Sequence, residues 1–72
     1  MKLNDLLKHL KQIFEIKKIN QDMKLEKLNF DSLKILELIA LKELKFKKLK
    51  IDLNEFQNCN KVSDIVKLFK VK

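Results

Sequence analysis

The chain has 72 residues, with 17 Lys, no Arg and 10 Asp plus Glu, giving a net charge of +7. A chain of this length makes one small domain over 1–72, and folding buries only roughly 60% of the unfolded surface, which leaves no room for a large enclosed active site. There is no Gly or Pro and only one Cys (Cys59) and one His (His9), which excludes Gly-rich phosphate loops, an internal disulfide, a Cys-rich zinc site and paired-His metal motifs.

The first residues, Met-Lys-Leu-Asn-Asp, lack the apolar stretch of a signal peptide. The longest apolar run, Leu38-Ile39-Ala40-Leu41, is far too short to span a bilayer. A soluble, reduced, cytoplasmic protein is expected. Leu3, Leu6, Leu7, Leu10, Ile13 and Phe14 recur at helical spacing, with Lys8, Lys11, Gln12 and Glu15 between them. This predicts a first helix over about 3–16.

Residues 17–30 break the rhythm and predict a long loop, pinned by Ile19, Met23, Leu25 and Leu28. Asp31-Ser32 opens the second helix, with Asp31 as its cap. That helix continues through Leu33, Ile35, Leu36, Leu38, Ile39, Leu41 and Leu44 to Phe46. Its apolar surface is wider than one stripe, so either the helix is central or one strip of it faces a partner. Lys47 and Lys48 end it, a short helix is expected from Asp52 to Gln57 around Phe56, and Asn60 is expected to cap a last helix through Val62, Ile65, Val66 and Phe69. No alternating strand pattern occurs. The expected fold class is all-α, with three longer helices and one short one.

The net charge invites a nucleic-acid reading. Against it, the forked donor Arg is absent, no Trp or Tyr offers a stacking surface, and the Lys residues are spread along the chain. The five Phe mostly fall in phase with core positions.

The segment Leu28-Asn29-Phe30-Asp31-Ser32-Leu33 resembles the attachment site of the acyl carrier protein family, whose signature is Asp-Ser-Leu at the start of the second helix after a long loop. The likeness extends along most of the chain. Leu28 lies four before the serine and Glu37 five after it, within Leu36-Glu37-Leu38. Phe46, Ile51 and Val62-Ser63-Asp64-Ile65-Val66 follow at spacings similar to the family's. The chain also departs from the pattern. Asn29 stands where Gly is common, although Asn tolerates unusual backbone angles. Lys42 occupies a mostly apolar position, and Phe56 is bulky for a neighbouring one; both bear on the usual acyl pocket. Carriers of this family are typically acidic, whereas here the second helix and its end carry Lys34, Lys42, Lys45, Lys47 and Lys48 against Glu37 and Glu43.

The resemblance implies a small four-helix bundle of the acyl-carrier type that is not an enzyme. It implies that Ser32 is esterified by 4'-phosphopantetheine from coenzyme A, with a partner phosphopantetheinyl transferase supplying the base. Asp31 and Leu33 would flank this attachment point, and Leu36, Glu37, Ala40 and Glu43 would form a docking strip with it. The arm would carry an acyl or aminoacyl group as a thioester to loading and transferring enzymes, and the basic surface implies a specialised pathway whose enzymes present acidic or apolar docking surfaces. The implied carrier is a monomer with no nucleic-acid partner and no membrane span. A different class of reading is a basic helical module that binds nucleic acid or an anionic membrane surface. Cys59, in phase with Phe56 and Val62, is expected to be a buried, inert thiol, His9 a surface residue and Met23 an inward-packing loop residue.

Overall fold

The computed structural model describes residues 2–70, and these are all-helical, with no strand among them. The first helix, α1, spans Leu3–Phe14. It buries Leu6, Leu10 and Phe14, which lie four residues apart and stack on one face. The periodicity continues to Ile16, but the helix stops at Phe14 because Glu15 turns left-handed (φ 58°). The Glu15 and Ile16 N–H groups fold back onto the carbonyls of Gln12 and Lys11. This is the helix-ending turn usually built with Gly.

The long connection that follows is more ordered than its composition suggests. It contains a short 3-10 helix, Leu25–Leu28, whose Leu25 is buried. Backbone bonds clamp it to the far end of the chain. The Leu25 N–H donates to the Asn60 carbonyl at 2.8 Å, and the Val62 and Ser63 N–H groups donate to the carbonyls of Met23 and Gln21 at 3.0 Å each. Met23 packs half-buried against the core, as expected.

The second α-helix, α2, spans Ser32–Lys45 and buries Ile35, Leu38 and Leu41. A short α3, Leu53–Gln57, is capped by Asp52, whose Oδ1 accepts from the Glu55 N–H at 2.9 Å. The last helix, α4, spans Val62–Phe69 and buries Val62, Ile65, Val66 and Phe69. Asn60 does not cap it with its side chain. Asp64 does so from inside the helix, its Oδ2 accepting from the N–H groups of Asn60 at 2.9 Å and Lys61 at 3.1 Å. A carboxylate three residues into a helix can reach back in this way.

The side chains from the four helices and the 3-10 turn meet in one apolar core, and among the described residues no polar residue is buried. Phe69 is its hub, with Phe46 edge-on at 4.9 Å and Phe56 at 5.9 Å between ring centres. Phe14 and Phe30, 6.0 Å apart, join the end of α1 to the approach to α2. Of the five Phe, Phe14, Phe56 and Phe69 are buried, while Phe30 and Phe46 are half-buried at the margin.

Candidate functional site

The approach to α2 is a sequence of local constraints. Asn29 ends the 3-10 helix in the left-handed region (φ 55°, ψ 46°), a conformation that Asn enters more readily than most residues. This turns the chain out of the 3-10 helix ahead of Asp31. Asp31 is extended, and its Oδ1 accepts from the Lys34 N–H at 3.1 Å while its carbonyl accepts from the Ile35 N–H at 3.0 Å. The Asp31 side chain thus takes up one of the N–H groups that a helix start leaves free, that of Lys34, while its carbonyl begins the helix's own ladder; the N–H groups of Ser32 and Leu33 are not bonded to Asp31. Ser32 is the first residue of α2 and is exposed.

The candidate strip lies on the outer side of the same helix. Leu33 is 62% exposed and Leu36 59%, so neither is a core residue. Glu37, Ala40 and Glu43 are exposed as well. The wide apolar surface of α2 therefore does not mark a central helix. It divides into a buried face of Ile35, Leu38 and Leu41 and an outward strip that continues past Ala40 to Leu44, which at 72% is the most exposed of the large apolar residues described. Leu44 lies four residues beyond Ala40, and that spacing could have assigned it to the strip.

Two lysines of α2 are engaged within the fold. Lys34 donates from Nζ to the Ile13 carbonyl at 2.8 Å, with Glu37 Oε2 3.9 Å away. Lys42 is mostly covered, and its Nζ binds Glu43 Oε1 at 3.0 Å. Phe56 is fully buried.

His9 is half-buried rather than a plain surface residue. It lines an open groove of about 340 Å³ between α1 and α2, with Gln12 and Ile13 on its side and Glu37, Ala40 and Leu44 opposite. Nothing in the local sequence marks this, because the groove exists only where two helices meet. Cys59 is buried, and its Sγ donates to the Glu55 carbonyl at 3.4 Å. Burial, with smaller contributions from Asp64 and Glu55, pushes the thiol up to about 11, which keeps it protonated and unreactive near neutral pH. Among the described residues no group of His, Cys, Asp or Glu could hold a metal ion, and no helix is long and apolar enough to cross a membrane.

The site therefore offers an exposed hydroxyl at a helix start, a capping carboxylate beside it and an apolar strip running away from it. Searches of protein-family models, of curated proteins and of solved structures find no match to this chain.

Proposed function

We propose that this protein is an acyl carrier that bears 4'-phosphopantetheine on Ser32 and presents the attached group to partner enzymes. The observation that carries the reading is the exposed Ser32 at the first position of α2, three residues after the left-handed turn at Asn29 and beside the solvent-facing strip of Leu33, Leu36 and Ala40. The resemblance of Asp31-Ser32-Leu33 to the family signature supplies the chemistry; exposure and placement make it feasible.

The residues present suit the group. A phosphodiester is an anion, and a helix start favours anions through its free N–H groups and the helix dipole, by about 0.3–1 kcal/mol. Those of Ser32 and Leu33 are uncommitted to Asp31. Asp31 is a like charge, but its Oδ1 is engaged in capping. Ser32 would contribute its Oγ as the nucleophile toward the pantetheine-side phosphorus of coenzyme A; the diphosphate bond breaks, adenosine 3',5'-bisphosphate leaves, and the hydroxyl proton passes to a base on the partner transferase. When bound, the arm supplies a thiol that holds an acyl or aminoacyl group as a thioester. The chain's own task is to hold the serine outward on a rigid helix and to keep its only thiol, Cys59, buried away from that chemistry. Tethering raises the effective concentration of the cargo at each partner, which is the physical benefit of a carrier.

Intact-protein mass spectrometry tests this. After incubation with coenzyme A and a broad-specificity transferase, the mass should rise by one phosphopantetheine, and Ser32→Ala should stay unchanged. No gain with several transferases, the host's own included, would refute the assignment.

A further inference from the structure

The strip on α2 does not end with the residues around Ser32. It runs on through Ala40 to Leu44, where it opens into the groove against His9 and Ile13 of α1. From Leu36 to Leu44 it covers roughly 12 Å of helix, about two turns. An exposed apolar strip of this kind, continuous with a groove, marks an interaction surface.

The charge around it restricts the occupant. Beyond Leu44 lie Lys45, Lys47 and Lys48, all exposed. Among the described residues none of the three is in an ion pair; the two pairs present use Lys34 and Lys42. The far end of the strip is therefore a cluster of uncompensated positive charge. Beside the strip stand two exposed carboxylates, Glu37, which also lines the groove near its Ser32 end, and Glu43. These would have to enter the boundary of a bilayer if Leu36 and Leu44 inserted there, which disfavours a membrane as the occupant. A second copy of the chain would bring the same lysines and its own +7 charge. A helix with leucine-type residues on one face and acidic residues flanking them would meet both the apolar strip and the lysine cluster.

We infer that the α1–α2 groove and the Leu36–Leu44 strip, with Lys45, Lys47 and Lys48 at its end, form the docking surface for an acidic amphipathic helix of a partner protein. This deepens the carrier reading and rests on it for what the partner does, though the surface argument makes no use of Ser32. Electrostatic attraction brings the acidic helix in, and burial of Leu36 and Leu44 retains it.

The test is an NMR titration of the isotope-labelled protein with two synthetic amphipathic helices that share one leucine face. One carries glutamates on its flanks and the other lysines. The glutamate helix should shift the amides of His9, Ala40 and Leu44 and those of Lys45–Lys48, with affinity falling several-fold as salt rises above about 0.1 M, where the Debye length drops below about 10 Å. Combined Lys45→Glu, Lys47→Glu and Lys48→Glu substitution should weaken this binding by roughly tenfold or more and favour the lysine helix. Leu44→Gln, an exposed change, should weaken binding of either helix without unfolding the protein. Equal binding of both helices, shifts centred elsewhere, or no shift with either would overturn the inference. So would tighter binding to vesicles of phosphatidylglycerol and phosphatidylcholine than to the glutamate helix. Repeating the titration on Ser32→Ala separates the two readings, because docking should persist there whether or not the wild-type serine accepts an arm.

Discussion

Lys34, in the first turn of α2, donates from Nζ to the carbonyl oxygen of Ile13, near the end of α1, at 2.8 Å. The last carbonyls of a helix lack intrahelical partners. At the end of α1 those of Lys11 and Gln12 are bonded by the N–H groups of Ile16 and Glu15, and that of Ile13 by Lys34. An ammonium there also complements the negative end of the helix dipole. One side chain thus ties the end of α1 to the helix start that carries Ser32, across the whole intervening loop.

Removing that tie should be felt. Lys34→Met keeps the aliphatic stem and loses the donor, and should cost about 1.5–3 kcal/mol, the range for a hydrogen bond from a charged group. Glu37→Gln, which removes the exposed 3.9 Å partner, should cost under about 0.5 kcal/mol. Urea unfolding of the two variants beside wild type checks both. Equal losses would mean that the ion pair, not the carbonyl bond, is what Lys34 contributes.

At the candidate site, stability and chemistry should separate between adjacent residues. Asp31→Ala should lower stability by about 1 kcal/mol through loss of the cap, and Asp31→Asn should restore most of it. Ser32→Ala should stay within about 0.5 kcal/mol of wild type, as for other exposed changes, while removing the acceptor oxygen. If thermal unfolding showed Ser32→Ala as costly as Asp31→Ala, the serine hydroxyl would have a structural role and the case for an attachment site would weaken.

A chain with no Gly must make left-handed turns with other residues. Glu15, Asn29 and Lys70 all take positive φ. Glu15→Gly should therefore stabilise the protein, by roughly 0.5–1 kcal/mol, by relieving the left-handed strain at the end of α1. Asn29→Ala should destabilise by about 1 kcal/mol, since Ala lacks the tolerance of Asn for this region. Calorimetric melting of both variants measures this, and a stabilising Asn29→Ala would contradict the role assigned to that turn.

Asp64 gives the fold a specific acid sensitivity. The N–H groups of Asn60 and Lys61, which donate to its carboxylate, hold its pKa below the ordinary value, assisted by the charges of Lys67 and Lys61. A carboxyl lowered in the folded state contributes stability above its unfolded pKa of about 4, and that contribution disappears as pH falls through the lower folded value. Asp64→Asn should lower the melting temperature at neutral pH and flatten the part of its decline below about pH 4. An unchanged acid limb in the variant would assign the decline to other carboxylates.

Much of the architecture was legible in the residues themselves. The four-residue rhythm of Leu6, Leu10 and Phe14 and the set Val62, Ile65, Val66 and Phe69 specify helices with one buried face, because an apolar stripe at helical period can be removed from water only that way. Asp31 and Asp52 marked two helix starts, because a carboxylate at that position reaches free N–H groups a few residues ahead. At Asn29 the residue type showed only that Asn tolerates the turn for which the resemblance expects Gly, and the fold makes that turn left-handed there.

Other features depended on residues far apart in the chain. Whether Leu33, Leu36 and Leu44 belonged to the core or to the surface could not be read from α2 alone, since its apolar residues lie on more than one face. Packing decided it, by placing the Ile35–Leu38–Leu41 side against the other helices and leaving the opposite side in water. The clamp of the long loop onto α4, the Lys34–Ile13 tie and the groove beside His9 likewise join elements that only the folded chain brings together. Periodicity and capping are local consequences of backbone geometry, whereas exposure and long-range hydrogen bonding depend on which other surface arrives opposite.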